Sequence, residues 1–222
     1  MKPVTEAAIW DAYNLLLLGP DVERLRKLLA RHELFRLSQK VPGDIVECGV
    51  FKGSGLLFWL KLLQIYSPGS ARRVIGFDMF SQFGQTQTAA EAKQVAAYVK
   101  ESSFNGVTTD GLYQQIAAAG IARTRCELIA GDITVTAQEY VNARPGLRIA
   151  LLHLDLDLEA ATFAALEAFW PHVVRGGLVV FDEYGAPQWT ESNAVDRFFA
   201  DKPCTLQTLN WANTPSAFLV KE

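Results

Sequence analysis

The chain has 222 residues, half of them hydrophobic, with 21 basic and 24 acidic residues and a formal net charge of −3. This length suffices for one α/β domain with a full core, and the hydrophobic content is too high for a disordered chain. The acidic balance argues against a nucleic-acid partner, because binding to phosphate backbones needs clustered Lys and Arg.

The three cysteines, Cys48, Cys126 and Cys204, are far apart and lack a C-x-x-C spacing. A disulfide framework or a zinc site is therefore not expected, and each cysteine should be a small buried group in a strand. The N-terminus lacks the apolar segment of a secretory signal, and the apolar run 15–18 is too short to cross a membrane. These features predict a cytoplasmic protein without a membrane partner.

The first forty residues predict two helices, separated by Gly19-Pro20, with Asp21 capping the second. Strands and helices then alternate, and continuously apolar strands such as 149–152 and 178–181 are typical of parallel strands covered by helices on both faces. The last two strands are hairpin-like, with a turn at 213–215. This order predicts a single domain over 1–222, a doubly wound, Rossmann-like, mostly parallel seven-stranded α/β sheet with an antiparallel last strand. Strands are expected over 44–48, 73–78, 126–130, 147–154, 177–181, 205–210 and 216–220, and later helices over 53–66, 88–101, 110–119, 134–143, 159–170 and 189–200.

A glycine-containing segment follows the first of these strands. Glu47, Gly49, Gly53 and Ser54 lie in the string ECGVFKGSG, whose E-x-G-x-x-x-G spacing differs from the G-x-G-x-x-G of dinucleotide enzymes. Glycines allow a ligand to approach the backbone, and the next helix offers free N–H groups. The segment is either a cofactor-binding loop or a strand-to-helix turn without a ligand.

An acidic residue ends each of the next two strands. Asp78, followed by Met79, is placed where an acid can accept hydrogen bonds from both ribose hydroxyls, and its alternative is a solvated loop residue. Gly131 and Asp132 follow the third strand, where an Asp can accept from an adenine amino group. Asp132 is equally well placed as the N-cap of the next helix.

Four carboxylates follow the fourth and fifth strands, namely Asp155, Asp157, Asp182 and Glu183. Because neighbouring parallel strands end at one edge of the sheet, we expect them to meet where ligands bind. Buried anions repel one another, and a hard divalent cation with oxygen ligands, best matched by Mg²⁺, would relieve the repulsion. The alternative is that some of these acids cap helices or face solvent. His153, deeper in its strand, is expected to be a hydrogen-bonded core residue rather than a base.

Together these segments resemble the macrocin O-methyltransferase (TylF/MycF) family of class I methyltransferases. The resemblance implies an enzyme that depends on S-adenosylmethionine (SAM) and Mg²⁺ and methylates a sugar hydroxyl. The matching strings, in order and with similar spacing, are VECGVFKG at 46–53, GFDMF at 76–80, GD at 131–132, HLDLD at 153–157, RGGLVVFDEY at 175–184 and ESNAVDRFF at 191–199.

The resemblance also implies residue roles. Asp155, Asp182 and Glu183 would hold the metal, and Asp157 would be the general base, which makes Asp155 and Asp157 the catalytic pair. For the cofactor, Glu47 and Gly49 map to the methionine part of SAM, Asp78 to the ribose and Asp132 to the adenine. The cofactor site would further include Gly53, Ser54, Met79, Gly131 and Asp155.

Two departures from the family pattern concern the metal and the substrate. Glu183 stands where the family usually has Asp, and its longer side chain implies altered or water-mediated ligation. The stretch after Asp78 lacks an acid often found there, so residues 80–122, a substrate-facing helical insertion, receive no assignment.

We therefore expect a SAM-dependent, divalent-metal-assisted O-methyltransferase acting on a hydroxyl of a sugar, or of a glycosylated or nucleotide-linked small molecule. One alternative is a metal-independent O-methyltransferase acting on a phenol or a carboxylate. A second is a short-chain-dehydrogenase-like oxidoreductase, which would need a Tyr-x-x-x-Lys pair that the sequence lacks. A third is a non-catalytic binding module of the same fold.

The N-terminal helical cap, residues 1–40, is unusually apolar for an exposed pair of helices. Trp10, Tyr13 and the run 15–18 lie in its first helix. Such a surface indicates that these helices either pack on another subunit, forming a homodimer, or cover the active site.

Overall fold

A parallel β-sheet with helices on both faces forms the centre of the computed structural model, which describes residues 5–80 and 83–222. Within these ranges the chain forms six strands and eight α-helices. The strands are β1 (Asp44–Cys48), β2 (Val74–Asp78), β3 (Cys126–Ala130), β4 (Ile149–Leu154), β5 (Val173–Phe181) and β6 (Ala217–Val220). The helices are α1 (Glu6–Leu18), α2 (Glu23–Ser38), α3 (Ser54–Tyr66), α4 (Ala89–Ser102), α5 (Thr109–Ala118), α6 (Ile133–Ala143), α7 (Glu159–Phe169) and α8 (Glu191–Phe199).

The strand order is β3-β2-β1-β4-β5-β6, and only β6 among these runs antiparallel to its neighbour. The chain moves outward from β1 to β3 and then crosses back to β4 beside β1. The strand order therefore reverses between β1 and β4, the position at which open α/β sheets bind ligands. The predicted doubly wound, mostly parallel sheet with an antiparallel last strand is confirmed.

The sheet has six strands, so the prediction of seven is wrong. The predicted strand 205–210 contributes only one isolated bridge, between Gln207 and Phe218. Two residues later a turn begins, in which the Ala212 N–H donates to the Leu209 carbonyl, so the pairing does not extend. Cys204 is exposed and lies outside the strands of the described residues, contrary to the prediction, whereas Cys48 and Cys126 are buried in β1 and β3 as predicted.

Each face of the sheet has its own hydrophobic core. Successive side chains of β1 point to opposite faces of the sheet. Ile45 therefore lies in the core formed with α2, α3 and α5, and Val46 in the core formed with α6, α7 and α8. All six residues of β4 are buried, which explains the continuously apolar run expected for a central strand. Burying each such Leu or Ile contributes roughly 1.5–3 kcal/mol.

The two N-terminal helices behave differently. Gly19-Pro20 separates them, and the Asp21 carboxylate accepts a hydrogen bond from the Glu23 N–H, as expected of a residue capping α2. Helix α2 packs against α3 and β5, whereas none of the residues of α1 is buried. None of the helices in the described ranges combines the length and apolar character that crossing a membrane requires.

Candidate functional site

A cavity of about 670 Å³ opens at the carboxyl ends of the parallel strands. Segments that follow β1 to β5 line it, together with one side of α2 and residues of the 80–122 segment, of which 81 and 82 lie outside the described residues. Its volume is in the range of roughly 300–1,000 Å³ found for small-molecule sites. Most of the site residues predicted from the sequence line this one cavity.

The glycine segment after β1 forms one wall of this cavity. Gly49 has a φ of 93°, and a Cβ there would overlap the carbonyl oxygen of Asp155, so only glycine fits between the ends of β1 and β4. Glu47 and Ser54 line the cavity as well. Gly53 is buried instead, at the start of α3, where its φ of 88° and the side chain of Leu112 leave no room for a Cβ.

Glu47 carries a buried carboxylate oxygen without a partner. Its Oε1 accepts a hydrogen bond from Trp59 Nε1 at 3.2 Å and lies 3.5 Å from His153 Nδ1. Within the described residues, nothing bonds to its Oε2, although the side chain is 1% exposed. Buried polar atoms are normally satisfied, so an orphaned acceptor in a cavity wall points to a ligand with a hydrogen-bond donor.

Asp78 ties the glycine segment to the end of β2. Its carboxylate accepts the backbone N–H groups of Val50, Phe51 and Phe80 at 2.7–2.8 Å. Burial raises the pKa of Asp78 despite these three bonds. A carboxylate offers roughly four acceptor positions, so with the partners found among the described residues one remains for a ligand hydroxyl. Asp78 and Met79 both line the cavity, which excludes the solvated-loop alternative for Asp78.

Asp132 caps helix α6, as one of its two interpretations predicted. Its Oδ1 accepts from the Thr134 N–H at 2.9 Å and from the Thr134 hydroxyl at 2.8 Å. Gly131, with a φ of 133°, and Asp132 also line the cavity. Within the described residues both of these bonds end on Oδ1, so the second carboxylate oxygen of Asp132 is left for a ligand.

The four predicted carboxylates, called here the acidic cluster (Asp155, Asp157, Asp182 and Glu183), follow β4 and β5. Because β4 and β5 are parallel neighbours, with the Asp182 N–H bonded to the Leu154 carbonyl, Asp155 and Asp182 emerge side by side. Asp155, Asp157 and Glu183 line the cavity, whereas Asp182 is fully buried beneath it.

Helix α2 supplies cations that sequence reasoning missed. Lys27 Nζ lies 2.6 Å from Asp182 Oδ2 and 3.2 Å from Asp155 Oδ2. Arg31, one turn later, contacts the same Asp155 oxygen at 3.2 Å. Burial opposes ionisation of Asp182, but the Lys27 ammonium and the His153 hydrogen bond outweigh it and lower the pKa of Asp182. The i,i+4 spacing of Lys27 and Arg31 places both on one face of α2, but it does not indicate which residues that face meets.

His153 connects the acidic cluster to Glu47. It is fully buried, and its Nε2 lies 3.2 Å from Asp182 Oδ1, in agreement with the prediction of a hydrogen-bonded core residue. Ligand atoms of His153, Asp155 and Asp182 all lie within 4.8 Å of one another, which makes them a group that could hold a metal ion. Across the described ranges Glu183 does not join this group.

The other two carboxyls of the cluster have no cation of their own. In the part of the chain that the structure describes, neither Asp157 nor Glu183 has a side-chain hydrogen bond or ion pair, although Asp157 is only 8% exposed. Strand β4 ends at Leu154, so the extended chain does not continue to Asp157, which has a φ of 64°. Burial, followed by the charges of Asp182 and Asp155, raises the pKa of Glu183 to about 8. Burial and the charges of Asp155 and Glu183 raise that of Asp157 well above its usual range.

The donor set fits a divalent cation chemically. Carboxylate oxygens of Asp155 and Asp182 already share one cation, and hard divalent ions prefer such oxygens. Asp157 and Glu183 add further oxygens beside them. Because Asp157 and Glu183 form no ion pair with any described residue, a further positive charge at this position would reduce the repulsion among the four carboxyls.

An aromatic wall lies opposite the sheet edge and was not predicted. Phe51 stacks on Phe104 with 4.6 Å between ring centroids, and Tyr98 meets Trp189 edge-on at 5.9 Å. Phe83 contacts three of these rings. All five residues line the cavity, but their spacing along the sequence follows no helix or strand period. Only the folded arrangement brings them together.

Comparison with known proteins gives consistent matches. The family model "Macrocin-O-methyltransferase (TylF)" matches residues 17–214. A curated relative from Streptomyces olivaceus, 8-demethyl-8-(2,3-dimethoxy-alpha-L-rhamnosyl)-tetracenomycin-C 4'-O-methyltransferase, is 31% identical over 151 residues, which is 67% of this chain. That match covers 55% of the relative, so the chain spans little more than half of its length.

Two solved structures are similar over nearly the whole chain. A calicheamicin methyltransferase superposes with a TM-score of 0.80 at 27% identity, covering 97% of this chain and 86% of the other. The apo form of a TDP-rhamnose 3'-O-methyltransferase of calicheamicin biosynthesis gives a TM-score of 0.73 at 29% identity. The match covers 99% of this chain and 87% of the other. The similarity therefore includes the N-terminal helices as well as the sheet.

Proposed function

Because the chain belongs to the macrocin O-methyltransferase (TylF) family, we propose that it transfers the methyl group of SAM to a hydroxyl oxygen of a sugar. The observation that carries this proposal is that one cavity is lined both by the glycine segment after β1 and by three members of the acidic cluster, Asp155, Asp157 and Glu183. The first is suited to a cofactor and the second to activating an acceptor. Membership of a methyltransferase family argues against the oxidoreductase alternative.

Several residues would hold the cofactor. The orphaned Oε2 of Glu47 is suited to accept a hydrogen bond from the amino group of the methionine part. The remaining acceptor position of Asp78 suits a ribose hydroxyl, and that of Asp132 an adenine amino group. SAM supplies a methyl group already activated on a sulfonium, so the task of the protein is to align the acceptor with it. We assign Gly49, Ser54, Met79, Gly131 and Asp155 to the same site, where the buried Gly53 would position the adjacent Ser54.

Asp155 and Asp182, with Glu183 as a further ligand, would hold a divalent cation such as Mg²⁺. A bound cation would supply positive charge that lowers the pKa of an acceptor hydroxyl, which is otherwise a poor nucleophile. Asp157 would take the hydroxyl proton as general base. Its position in the cavity wall and the upward shift of its pKa, caused by burial and by the charges of Asp155 and Glu183, support this role, because a higher pKa makes the ionised carboxyl a stronger base.

The acceptor that fits these observations is a deoxyhexose of the rhamnose kind. The tetracenomycin relative is named for a rhamnosyl substrate and the calicheamicin relative for TDP-rhamnose. The aromatic wall offers flat apolar faces for the C–H side of a sugar or for an attached aglycone. The cytoplasmic location stays a prediction. We also propose that the chain forms a homodimer, because α1 exposes the large apolar side chains of Trp10, Leu15 and Leu18.

Methyl transfer from labelled SAM tests this function directly. The chain is incubated with TDP-rhamnose, a rhamnosylated polyketide and a catechol, each with Mg²⁺ or with EDTA. We expect labelled sugar product only in the presence of Mg²⁺. Transfer to the catechol alone, or equal transfer to sugar in EDTA, would overturn the metal-assisted sugar O-methyltransferase in favour of the metal-independent alternative. SAM binding without transfer to any acceptor would favour the non-catalytic module.

A further inference from the structure

We propose that Lys27 competes with the divalent cation, closing the acidic cluster when no metal is bound and leaving it when metal binds. This inference rests on the proposed function for the identity of the metal site. It adds an exchange step between a protein side chain and the ion. It also assigns helix α2 a role in controlling access to the site.

The contacts of Lys27 are those that a metal ion would take. Its ammonium lies between Asp155 Oδ2 at 3.2 Å and Asp182 Oδ2 at 2.6 Å. Asp182 is fully buried, so this oxygen has no solvent with which to replace the lysine. Ammonium and divalent cation would need the same carboxylate oxygens, so they cannot both be bound in this arrangement.

The packing of α2 allows Lys27 to leave while the rest of the helix stays. The buried residues of α2 begin at Ala30 and include Arg31, Leu34 and Phe35. Lys27 precedes this anchored half, and its side chain is 22% exposed. A lysine side chain is long and flexible, so its ammonium can withdraw toward the open cavity without unfolding the helix. Arg31, only 6% exposed, contacts Asp155 but, among the ion pairs of the described residues, not Asp182, so it would stay beside the position between the two carboxylates that Lys27 occupies.

The charge balance favours the exchange. Lys27 brings one positive charge to a cluster in which Asp157 and Glu183 form no ion pair with any described residue. A divalent ion brings two, so replacing the ammonium reduces the repulsion among the carboxyls. Without metal, Lys27 prevents Asp155 and Asp182 from facing each other as bare anions. The lysine therefore stabilises the metal-free protein and weakens metal binding at the same time.

Metal affinity of a lysine variant is the first test. Mg²⁺ and Mn²⁺ are titrated calorimetrically into the full-length protein, without SAM or acceptor. We expect Lys27→Met to bind on the order of tenfold more tightly than the wild type, because the ion no longer displaces a competing charge. Lys27→Arg should bind more weakly than Lys27→Met. Lys40→Met, which removes an exposed lysine just beyond α2, should bind like the wild type.

A labelling experiment on the wild-type protein keeps the inference testable if the variant fails to fold. Acetylation of Lys27 and Lys40 is followed by mass spectrometry with and without Mg²⁺. We expect Mg²⁺ to speed the modification of Lys27 and not that of Lys40. Unchanged labelling of Lys27 at saturating metal, metal binding no tighter in Lys27→Met, or no binding in either protein would each overturn the inference. Neither experiment uses methyl transfer, so failure of the proposed function would be seen separately.

Discussion

Unequal environments shift the pKa values of the carboxyls at the cavity in opposite directions. Against the effect of burial, Lys27 and His153 lower the pKa of Asp182, whereas burial and the charges of Asp155 and Glu183 raise the pKa of Asp157. A carboxylate with a lowered pKa is suited to holding a cation, and one with a raised pKa is the stronger base when it is ionised. The same residue type therefore serves two functions because its surroundings differ.

Removing the shared ligands should separate catalysis from cofactor binding. We expect Asp155→Ala and Asp182→Ala to abolish detectable turnover, since a Lewis-acid contribution amounts to several kcal/mol. The SAM affinity of Asp182→Ala, measured by calorimetry, should stay close to that of the wild type, because Asp182 lies beneath the cavity and outside the proposed cofactor site. Asp201→Ala, an exposed control, should change neither quantity. Near-normal activity of either cluster variant would contradict the assignment.

The raised pKa of Glu183 predicts a pH-dependent stability. The unfolded chain loses this proton near pH 4.5 and the folded protein only near 8, because burial and then Asp182 and Asp155 disfavour the anion. Between these values the unfolded state binds fewer protons, so the free energy of unfolding contributed by this group falls as pH rises.

Thermal unfolding in EDTA between pH 5 and pH 8.5 checks this. We expect the melting temperature of Glu183→Gln to fall less than that of the wild type as the pH rises. Glu139→Gln, at an exposed position on α6, should follow the wild type. Parallel curves for all three proteins would show that Glu183 titrates normally.

At the scale of elements, the end of β1 and the end of β4 must approach closely for the site to form. Gly49 permits this approach, with its N–H bonded to the Phe77 carbonyl and the Asp155 N–H bonded to the Cys48 carbonyl. The 80–122 segment is tied to the other side of the cavity, because Thr190 donates to Glu91 Oε1 at 2.7 Å. Both connections are between elements distant in sequence.

Gly49→Ala should disrupt this junction. A Cβ at φ 93° is strained and would overlap the Asp155 carbonyl, so we expect the free energy of unfolding to fall by about 2 kcal/mol or more. Gly69→Ala, where a Cβ would meet open space, should change it little. Urea denaturation measures both. Equal stabilities of the two variants would mean that the strands can separate without penalty.

The sequence predicted the elements better than the contacts between them. Local signals such as Thr88, which caps α4 together with Glu91, mark helix ends within a few residues. Residues 205–210 alternate like a strand, yet whether they pair depends on where the turn after Leu209 leads. Likewise the acids of the cluster follow two strands and could be predicted to converge. Lys27 could not be predicted to meet them, because the sequence of a helix does not show which part of the protein it packs against.

At the scale of the whole molecule, the N-terminal region combines an apolar exposed helix with one that closes the active-site cavity. Helix α1 exposes Trp10 at 61%, Leu15 at 81% and Leu18 at 82%, a surface that monomeric proteins usually cover. Helix α2, directly after it, lines the cavity with Lys27 and Arg31. A second subunit packed on α1 would therefore lie close to α2, the helix that carries Lys27.

Light scattering tests the dimer. We expect the wild type at micromolar concentration to have twice the chain mass of 24.5 kDa. The double substitution of Leu15 and Leu18 by Glu should yield the monomer mass with an unchanged circular dichroism spectrum. A wild-type monomer would remove the dimer from the account.

The central claim is that one cavity binds the methyl donor beside an ion held by the acidic cluster. The most direct measurement is a crystal structure with S-adenosylhomocysteine and Mn²⁺, using the anomalous signal of manganese. We expect the amino group of the ligand within hydrogen-bond distance of Glu47 Oε2, a manganese peak on Asp155 and Asp182, and the Lys27 ammonium displaced from both. A ligand outside this cavity, or no manganese at these carboxylates, would contradict the account.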